Sequence, residues 1–434
     1  MQSFKIKMFF GFLLFVVLID MYVWQAIKVL INNKPKWYQK IATIIFWVIP
    51  AVFVLGMASN LVINFFDDAK MFRTYFFAFF IIIYASKLIT FLFLIFDDIK
   101  RLFILIWRLI ERYFLNEKEE AEEEELEEAI VPESQKISRS QFIARAGIIA
   151  GSIPFVLLSR GMYRGAYNYQ VRRVNLVLPN LPESFDGLKI LQFSDVHTGS
   201  FIDKDAVYRG IRMMKEQKAH VAFFTGDFVN NKTDEAYEWM EMFSEIKAPM
   251  GVFSILGNHD YGDYVTDWKS PEAKAKNLQD LADVHKNMGW NLLRNEHVLL
   301  EKENKRIGLI GVENWGDRGR FQKFGDIDKA QKGMEKVPVK ILLSHDPSHF
   351  DTIVSKSHPD IDLTLSGHTH GFQFGVEFGD FKWSPSQYIY PHWADLYKIE
   401  KQMLYVNRGY GFLGYPGRVG ILPEITVITL SRMA

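Results

Sequence analysis

The chain contains no cysteine. A disulfide framework and a thiolate metal site are therefore both excluded, and the fold must work in either redox compartment. It also has no net charge, because 51 Lys and Arg balance 51 Asp and Glu. Nucleic-acid-binding proteins are more often basic, so nothing here argues for that class. What the chain does have is length and aromatic content. Its 434 residues suggest two or three units, and its 37 phenylalanines are concentrated near the N-terminus.

Long apolar runs explain that concentration. Residues 8–32, 41–65 and 71–95 are each long enough to cross a hydrocarbon core, which takes about 20 residues. A cleavable signal peptide would account only for the first, and three such runs so close together predict three spans. Asp20 and Lys87 lie inside these runs, where charge is expensive and often functional, although near helix ends such groups can snorkel. Residues 99–115 differ. Arg101, Arg108 and Arg112 interrupt the apolar run at helical spacing, predicting an amphipathic helix at the membrane surface. The acidic run over 117–128 reads as a solvated helix or linker with no ligand role. Residues 142–159 are again apolar and are predicted as a fourth span. The expected organisation is three spans over 1–98, a surface helix and linker over 99–141, a fourth span over 142–160, and a catalytic domain over 170–434.

Lys34, Lys36 and Lys40 fall between the first two spans. Lys100, Arg101, Arg108, Arg112, Lys118, Lys136, Arg139 and Arg145 fall between the third span and the fourth. Basic loops favour the cytoplasm, so four spans place both the N-terminus and the C-terminal domain on the extracytoplasmic side of the cell inner membrane.

From about residue 170 the texture changes. Apolar runs at 188–193, 221–224, 252–256, 307–310, 339–343 and 363–365 read as strands, and 206–218 reads as a helix with Val207, Ile211 and Met214 on one face. A strand pair at 403–406 and 425–430 is expected to close the domain. Alternating strands and helices mean a layered α/β fold, in which ligands gather where strands end.

Short motifs sit just past five of those strands. They are Asp195-Val196-His197, Gly226-Asp227, Gly257-Asn258-His259-Asp260, His345 and Gly367-His368-Thr369-His370-Gly371. Each glycine permits a tight turn that aims the neighbouring side chain inward. Mixed carboxylate, amide and imidazole donors suit two divalent ions such as Mn, Fe or Zn, and do not suit Ca or Mg, which take mostly oxygen. Two-metal sites activate water to displace an oxygen leaving group, most often at phosphorus. His220, His285, His297, His349, His358 and His392 are read as structural or surface residues, as are Glu313 and Asn314. Asp346 and Arg408 are near-site candidates.

This motif set resembles the calcineurin-like metallophosphoesterase superfamily over roughly 185–434, and within it the bacterial membrane-associated branch. SDVHTG at 194–199, LLSHDP at 342–347, LSGHTHG at 365–371 and the ending NRGYGFLGYPGRVGILPEITVITL carry the likeness. The resemblance implies a four-layer α/β/β/α sandwich after a helical transmembrane region. It implies that Asp195, His197 and His370 hold one ion, that Asn258, His345 and His368 hold the other, and that Asp227 bridges them. A metal-activated hydroxide would then attack phosphorus. His259 would stabilise the developing charge or protonate the leaving oxygen, with Asp260 orienting it. ISRSQFIARAG also resembles a twin-arginine signal region, but Ser140 breaks that pattern, so a permanent anchor is expected. Phe372 and Gln373 stand where relatives often have Gly then Gln, a departure that bears on substrate entry.

The implied substrate is a phosphodiester or pyrophosphate. The aromatic loop at 372–400 would suit a lipid-linked one, for example a UDP-diacylglucosamine-type precursor, although aromatics that merely pack a loop give the same composition. A non-catalytic membrane scaffold with a relic domain predicts missing ligands, and none is missing. A channel or transporter predicts paired polar residues across several spans, for which Asp20 and Lys87 are the candidates. Nucleic-acid hydrolysis is disfavoured by the anchor and the neutral charge.

Overall fold

The computed structural model describes residues 2–63, 70–114, 139–319 and 321–433. The chain divides into two compact units, Met1–Ser159 and Arg160–Ala434.

Among the described residues the first unit contains four helices: α1 (Gln2–Ile31), α2 (Lys36–Ile63), α3 (Lys70–Phe114) and α4 (Arg139–Arg160). All four are long and apolar enough to cross a membrane. Val16, Ile19, Phe46, Phe53, Phe76 and Tyr84 pack inward. Leu18, Ile44, Val52 and Phe96 face outward. A helix that is apolar all round needs an apolar solvent, and a bilayer provides one. Buried Ala144, Gly147 and Gly151 mark one side of α4, where Thr90 of α3 donates to the Gly147 carbonyl at 3.1 Å. Small residues allow such close approach of spans.

The stretch expected to lie on the membrane surface is not a separate element. Residues 99–114 continue α3 without a break, because no proline or glycine interrupts the run. At 1.5 Å per residue the 45 residues of α3 extend about 68 Å, more than twice the ~30 Å hydrocarbon core. The acidic run at 117–128 lies outside the described residues.

Asp20 and Lys87 do not snorkel. Lys87 Nζ lies 2.5 Å from Asp20 Oδ1, and Tyr84 donates its hydroxyl to Asp20 Oδ2 at 2.8 Å. Asp20 is fully buried, and the Lys87 ammonium also sits over the Phe46 ring, 4.5 Å from its centroid. The pair ties α1 to α3.

The second unit is built from β1 (Gln170–Val177), β2 (Lys189–Phe193), α5 (Lys204–Glu216), β3 (Val221–Phe224), α6 (Asp234–Phe243), β4 (Val252–Ser254), α7 (Pro271–Asn287), β5 (Asn291–Leu292), β6 (Glu296–Lys302), β7 (Lys305–Gly311), α8 (Ile327–Ala330), β8 (Lys340–Leu343), β9 (Leu363–Ser366), β10 (Val376–Phe378), β11 (Phe381–Trp383), β12 (Asp395–Ile399), β13 (Gln402–Val406) and β14 (Glu424–Ser431). One six-stranded sheet has the order β1-β14-β2-β3-β4-β5, and a second has the order β12-β13-β9-β8-β7-β6. The expected closing pair, 403–406 with 425–430, is split between them. β13 pairs with β9 and β12, whereas β14 pairs with β1 and β2.

Period-two alternation decides the layers. Ile190, Val221 and Phe223 of the first sheet meet Ile307, Leu309, Ile341 and Leu365 of the second in one apolar core. The alternate residues Leu191, Phe193, Ala222 and Phe224 pack instead against Val207 and Ile211 of α5, Trp239 and Phe243 of α6, and Leu281 of α7. Behind the second sheet, Ile310, Leu342 and Leu404 cover Ile327, Phe350 and Val354. The result is the four-layer α/β/β/α arrangement.

Removing one partner of a buried pair strands the other, at about 3–5 kcal/mol. Lys87→Met should therefore destabilise the helical unit by that order, and the double variant Asp20→Leu/Lys87→Met should recover much of it. Thermal unfolding in detergent micelles checks this; equal stability of wild type and Lys87→Met would contradict it.

Candidate metal centre

The sequence motifs converge at one end of the two sheets. Asp195 and His197 follow β2, Asp227 follows β3, Asn258 follows β4, His345 follows β8, and His368 and His370 follow β9. Five of these seven have left-handed backbone: Asp195 (φ 51°), His197 (φ 52°), Asp227 (φ 61°), His368 (φ 72°) and His370 (φ 49°). Such conformations cost of order 1–3 kcal/mol each outside glycine and persist only where the surroundings enforce them.

The enforcement is visible. Asp195 N–H donates to the Gly226 carbonyl at 2.9 Å, and Val196 N–H to the Asp227 carbonyl at 2.8 Å, locking two strand exits together. His368 N–H lies 3.0 Å from both oxygens of the Asp195 carboxylate. Gly226 itself has φ 97°, and a side chain there would run into the Gly257 amide and the His345 ring.

Two clusters result. In the first, Asp195, His197 and His370 bring their ligand atoms within 4.8 Å of one another. His197 Nε2 and His370 Nε2 are 3.0 Å apart, and His370 Nε2 is 3.4 Å from Asp195 Oδ1. In the second, His345 Nε2 lies 3.2 Å from Asp227 Oδ2, 3.2 Å from Asn258 Oδ1 and 3.3 Å from His368 Nδ1. Asn258 Oδ1 is 2.8 Å from His368 Nδ1. Asp227 Oδ2 is also 3.6 Å from His197 Nε2, so this carboxylate faces both clusters.

The donor set fits two cations. His345 Nδ1 is 2.7 Å from the Thr225 carbonyl, to which it must donate, so in the neutral ring Nε2 presents a lone pair. Nε2 faces two oxygen acceptors in a buried cleft, where positive charge between them is favourable. With only the cleft's own groups to supply that charge, a proton on His345 supplies it: burial opposes charge on both Asp227 and His345, yet their mutual attraction holds Asp227 well below the usual carboxylate range and pushes His345 up to about 10. A bound cation would take the place of that proton, since ligation needs the neutral imidazole. Asp195, raised by burial, sits near 6, and burial lowers His197 to about 3, keeping that imidazole neutral as ligation requires.

Around the clusters the structure corrects one expectation. Asp260 does not orient His259. Its fully buried carboxylate accepts from the backbone N–H of Asp227 (2.9 Å), Gly257 (2.9 Å), Phe228 (2.8 Å) and Val229 (3.2 Å). It staples the β3 exit to the β4 exit. His259 is oriented by the Asn230 carbonyl, 2.7 Å from Nδ1, which leaves Nε2 free. Its ring stacks on Tyr264 at 4.3 Å and meets His197 edge-on at 4.9 Å.

Several supporting residues gain from the structure a role that the sequence reading did not assign them. Tyr390 OH is 2.8 Å from His368 Nε2, and Asp346 Oδ2 is 3.5 Å from the same nitrogen. Tyr264 OH accepts from Asn258 Nδ2 at 2.8 Å, which turns the amide oxygen toward the histidines. Buried Arg418 places Nη2 3.2 Å from His370 Nδ1 and donates to the Gly411 carbonyl at 2.6 Å. Tyr390, Asp346 and Arg418 lie 22 or more residues from their partners, and Tyr264, six residues from Asn258, sits on a loop whose course the motifs do not set. Arg408 serves the frame instead, pairing with Glu424, Asp395 and Glu377. Gln373 holds the 413–417 loop, accepting from Leu413 N–H at 2.6 Å, while Phe372 is exposed. His285 and His349 are buried and bonded to Ser254 and Ser344, in keeping with their structural reading.

Comparison with known proteins adds the family. Residues 188–372 match "Calcineurin-like phosphoesterase", and residues 6–166 match "Probable Calcineurin-like phosphoesterase, transmembrane domain". A "Transmembrane protein with metallophosphoesterase domain" from Danio rerio is 30% identical over 295 residues, covering 66% of this chain and 63% of the relative. The "Uncharacterized metallophosphoesterase YkuE" of Bacillus subtilis is 28% identical over 306 residues, covering 68% of this chain and 99% of the relative. An "Uncharacterized metallophosphoesterase" of Helicobacter pylori is 28% identical over 272 residues, covering 62% of this chain and 66% of the relative. The match thus spans less than two thirds of the Danio rerio protein. With the ligand-bearing loops at the ends of the two sheets and four apolar helices ahead of them, the chain belongs to the calcineurin-like metallophosphoesterase family.

Proposed function

We propose that this protein is a membrane-anchored, binuclear metal-dependent phosphoesterase acting on a phosphodiester or pyrophosphate. The observation that carries the reading is the pair of buried clusters, Asp195–His197–His370 and Asp227–His345–His368, with the Asp227 carboxylate facing both. Asn258 completes the second set through its Oδ1. Two divalent ions of the Mn, Fe or Zn type, bound there, would supply Lewis acidity and a nucleophile drawn from water.

The chain's own residues then have distinct tasks. Asp227 carries the negative charge that both clusters share. His259 has no place among the ligands; with Nδ1–H held by the Asn230 carbonyl, its imidazolium form carries a second proton on Nε2 that can stabilise charge on the phosphoryl oxygens or pass to the leaving oxygen, leaving the neutral ring. Asp260 acts on the site through the backbone, fixing the loops that present Asp227 and Asn258. Tyr390 holds His368 by its far nitrogen, which presents Nδ1 inward, and the Asp346 carboxylate lies 3.5 Å from the same nitrogen. A scaffold with a relic domain is disfavoured by the same set, because every expected ligand reaches one of the two clusters.

The four spans and the placement of basic residues favour the inner membrane, with the catalytic unit on the extracytoplasmic side. That side and the exposed aromatics at 372–389 favour a lipid-linked substrate, such as a nucleoside-diphosphate lipid precursor.

Three outcomes test the reading. The purified full chain, stripped with chelator, should hydrolyse bis-p-nitrophenyl phosphate only after Mn²⁺ is restored; turnover in excess chelator would refute it. Asp227→Asn should abolish turnover and lower metal content while the protein stays folded, whereas His259→Ala should lose about 10²–10⁴-fold in rate and keep both metals. Loss of metal from His259→Ala would show that the division between ligand and acid is wrong. Tyr390→Phe should weaken binding at the second cluster by about 10–100-fold in a metal titration, and unchanged affinity would remove Tyr390 from the site.

A further inference from the structure

The β10–β11 hairpin carries its apolar and charged faces the wrong way round for a water-exposed element. Val376 pairs with Trp383, Glu377 with Lys382, and Phe378 with Phe381, so the two apolar pairs share one face and the charged pair occupies the other. The charged face points into the protein. Glu377 accepts from Arg408 at 2.5 Å and from Arg172 at 2.5 Å, and Lys382 donates to the Ala394 carbonyl at 2.6 Å and to Asp395 at 2.9 Å. The apolar face points out, with Val376 51%, Phe381 61% and Phe378 84% exposed. Beside it, Trp383 Nε1 donates to Tyr388 OH at 3.3 Å, and Tyr388 is itself 76% exposed. Rotating the hairpin to hide the phenylalanines would take Glu377 and Lys382 away from their ion-pair partners, so the exposure is built in.

The position of this face identifies what covers it. The hairpin is rooted on Val419: Gly375 N–H donates to the Val419 carbonyl at 2.9 Å, and Val419 N–H donates to the Gln373 carbonyl at 2.8 Å. Val419 and Arg418 in turn pack on Gly161, where a side chain would meet Val419 Cγ2 at 2.5 Å and the Arg418 carbonyl at 2.9 Å. Arg418 N–H also donates to the Gly161 carbonyl at 3.2 Å. Gly161 belongs to the apolar helix Arg139–Gly165, at the point where the chain passes from its last span into the catalytic unit. The hairpin is therefore rooted, through Val419, on the residues that directly follow the last span in the chain.

We propose that the apolar face of the β10–β11 hairpin, with Tyr388 at its margin, inserts into the lipid bilayer and holds the catalytic unit against the membrane surface. Exposed aromatic faces of this kind partition to the interface, where ring and hydroxyl find different surroundings. This inference does not depend on the phosphoesterase reading.

The absence of cysteine makes the test clean. A nitroxide attached to Phe378→Cys in the full chain, reconstituted in phosphatidylethanolamine–phosphatidylglycerol vesicles, is the only spin label present. Its relaxation should be enhanced by oxygen and shielded from a water-soluble nickel chelate, giving a depth of about 5–10 Å below the headgroup boundary. The same label on Lys336→Cys, an exposed position in the segment before β8, should be fully open to nickel. Phe381→Cys gives an independent second probe of the hairpin. Nickel access at 378 and 381 equal to that at 336 would overturn the proposal. Shielding from both nickel and oxygen would overturn it too, and would mean that a protein surface covers the face.

Discussion

Burying so many ionisable groups in one cleft is the constraint on which the second unit depends. Asp195, Asp227 and Asp260 and the imidazoles of His197 and His345 are all essentially inaccessible to water. Without organisation such a cluster would repel itself and lose its hydration. The fold answers in two ways. Backbone amides take the load on Asp260, which accepts four N–H bonds and so never faces the other carboxylates as a bare charge. The left-handed turns after β2, β3 and β9 aim the rest at two points instead of spreading them over the surface. Strain in the loops is tolerable because the sheets beneath them are continuous apolar layers.

The same economy of charge governs the helical unit. Asp20 and Lys87 neutralise each other across α1 and α3, with Tyr84 taking the second carboxylate oxygen. Asp97 pairs with Arg101 and Arg139, and Asp98 accepts from Tyr22. Each of these acidic groups is paired between or along helices, as expected where water is scarce and an unpaired charge is costly. In both units, then, charged groups inside an apolar setting are set against partners of opposite charge or backbone N–H groups.

Much of this was legible in the residues themselves. The strand at 221–224 and the ligands at its exit follow from a short apolar run ended by Thr225-Gly226-Asp227. The seven ligand candidates come together because each lies at a strand end, and strand ends on one side of a sheet are neighbours whatever their separation in sequence. What escaped has a common cause. Asp260 acts by accepting backbone N–H bonds, and nothing in the identity of an aspartate says whether its partner is a side chain or the main chain. Tyr390, Asp346 and Arg418 touch His368 and His370 only after the aromatic loop and the C-terminal loop fold back. The continuity of α3 was hidden because arginines at helical spacing mark a surface helix and the end of a long span alike. The partners of β13 and β14 depend on which sheet each joins, and apolar content is equally high in both.

The segment from His368 to Tyr390 shows how one stretch of chain can serve opposite surroundings. It leaves the second cluster at His368, turns through Gly371 and Phe372 with φ of 52° and 56°, forms the hairpin, and returns so that Tyr390 OH reaches His368 Nε2. Its inward residues are fixed by charge: Glu377 and Lys382 are drawn to Arg408 and Asp395, which also brace β12 and the start of β14. Its outward residues are left apolar because the polar ones are already committed. Thr369 donates to the Trp393 carbonyl at 2.6 Å, and Ser384 to the Gly371 carbonyl at 2.8 Å, so the loop is closed on itself by buried hydrogen bonds. The hairpin with its outward apolar face and the hydroxyl that meets His368 thus belong to one stretch of chain closed by buried hydrogen bonds.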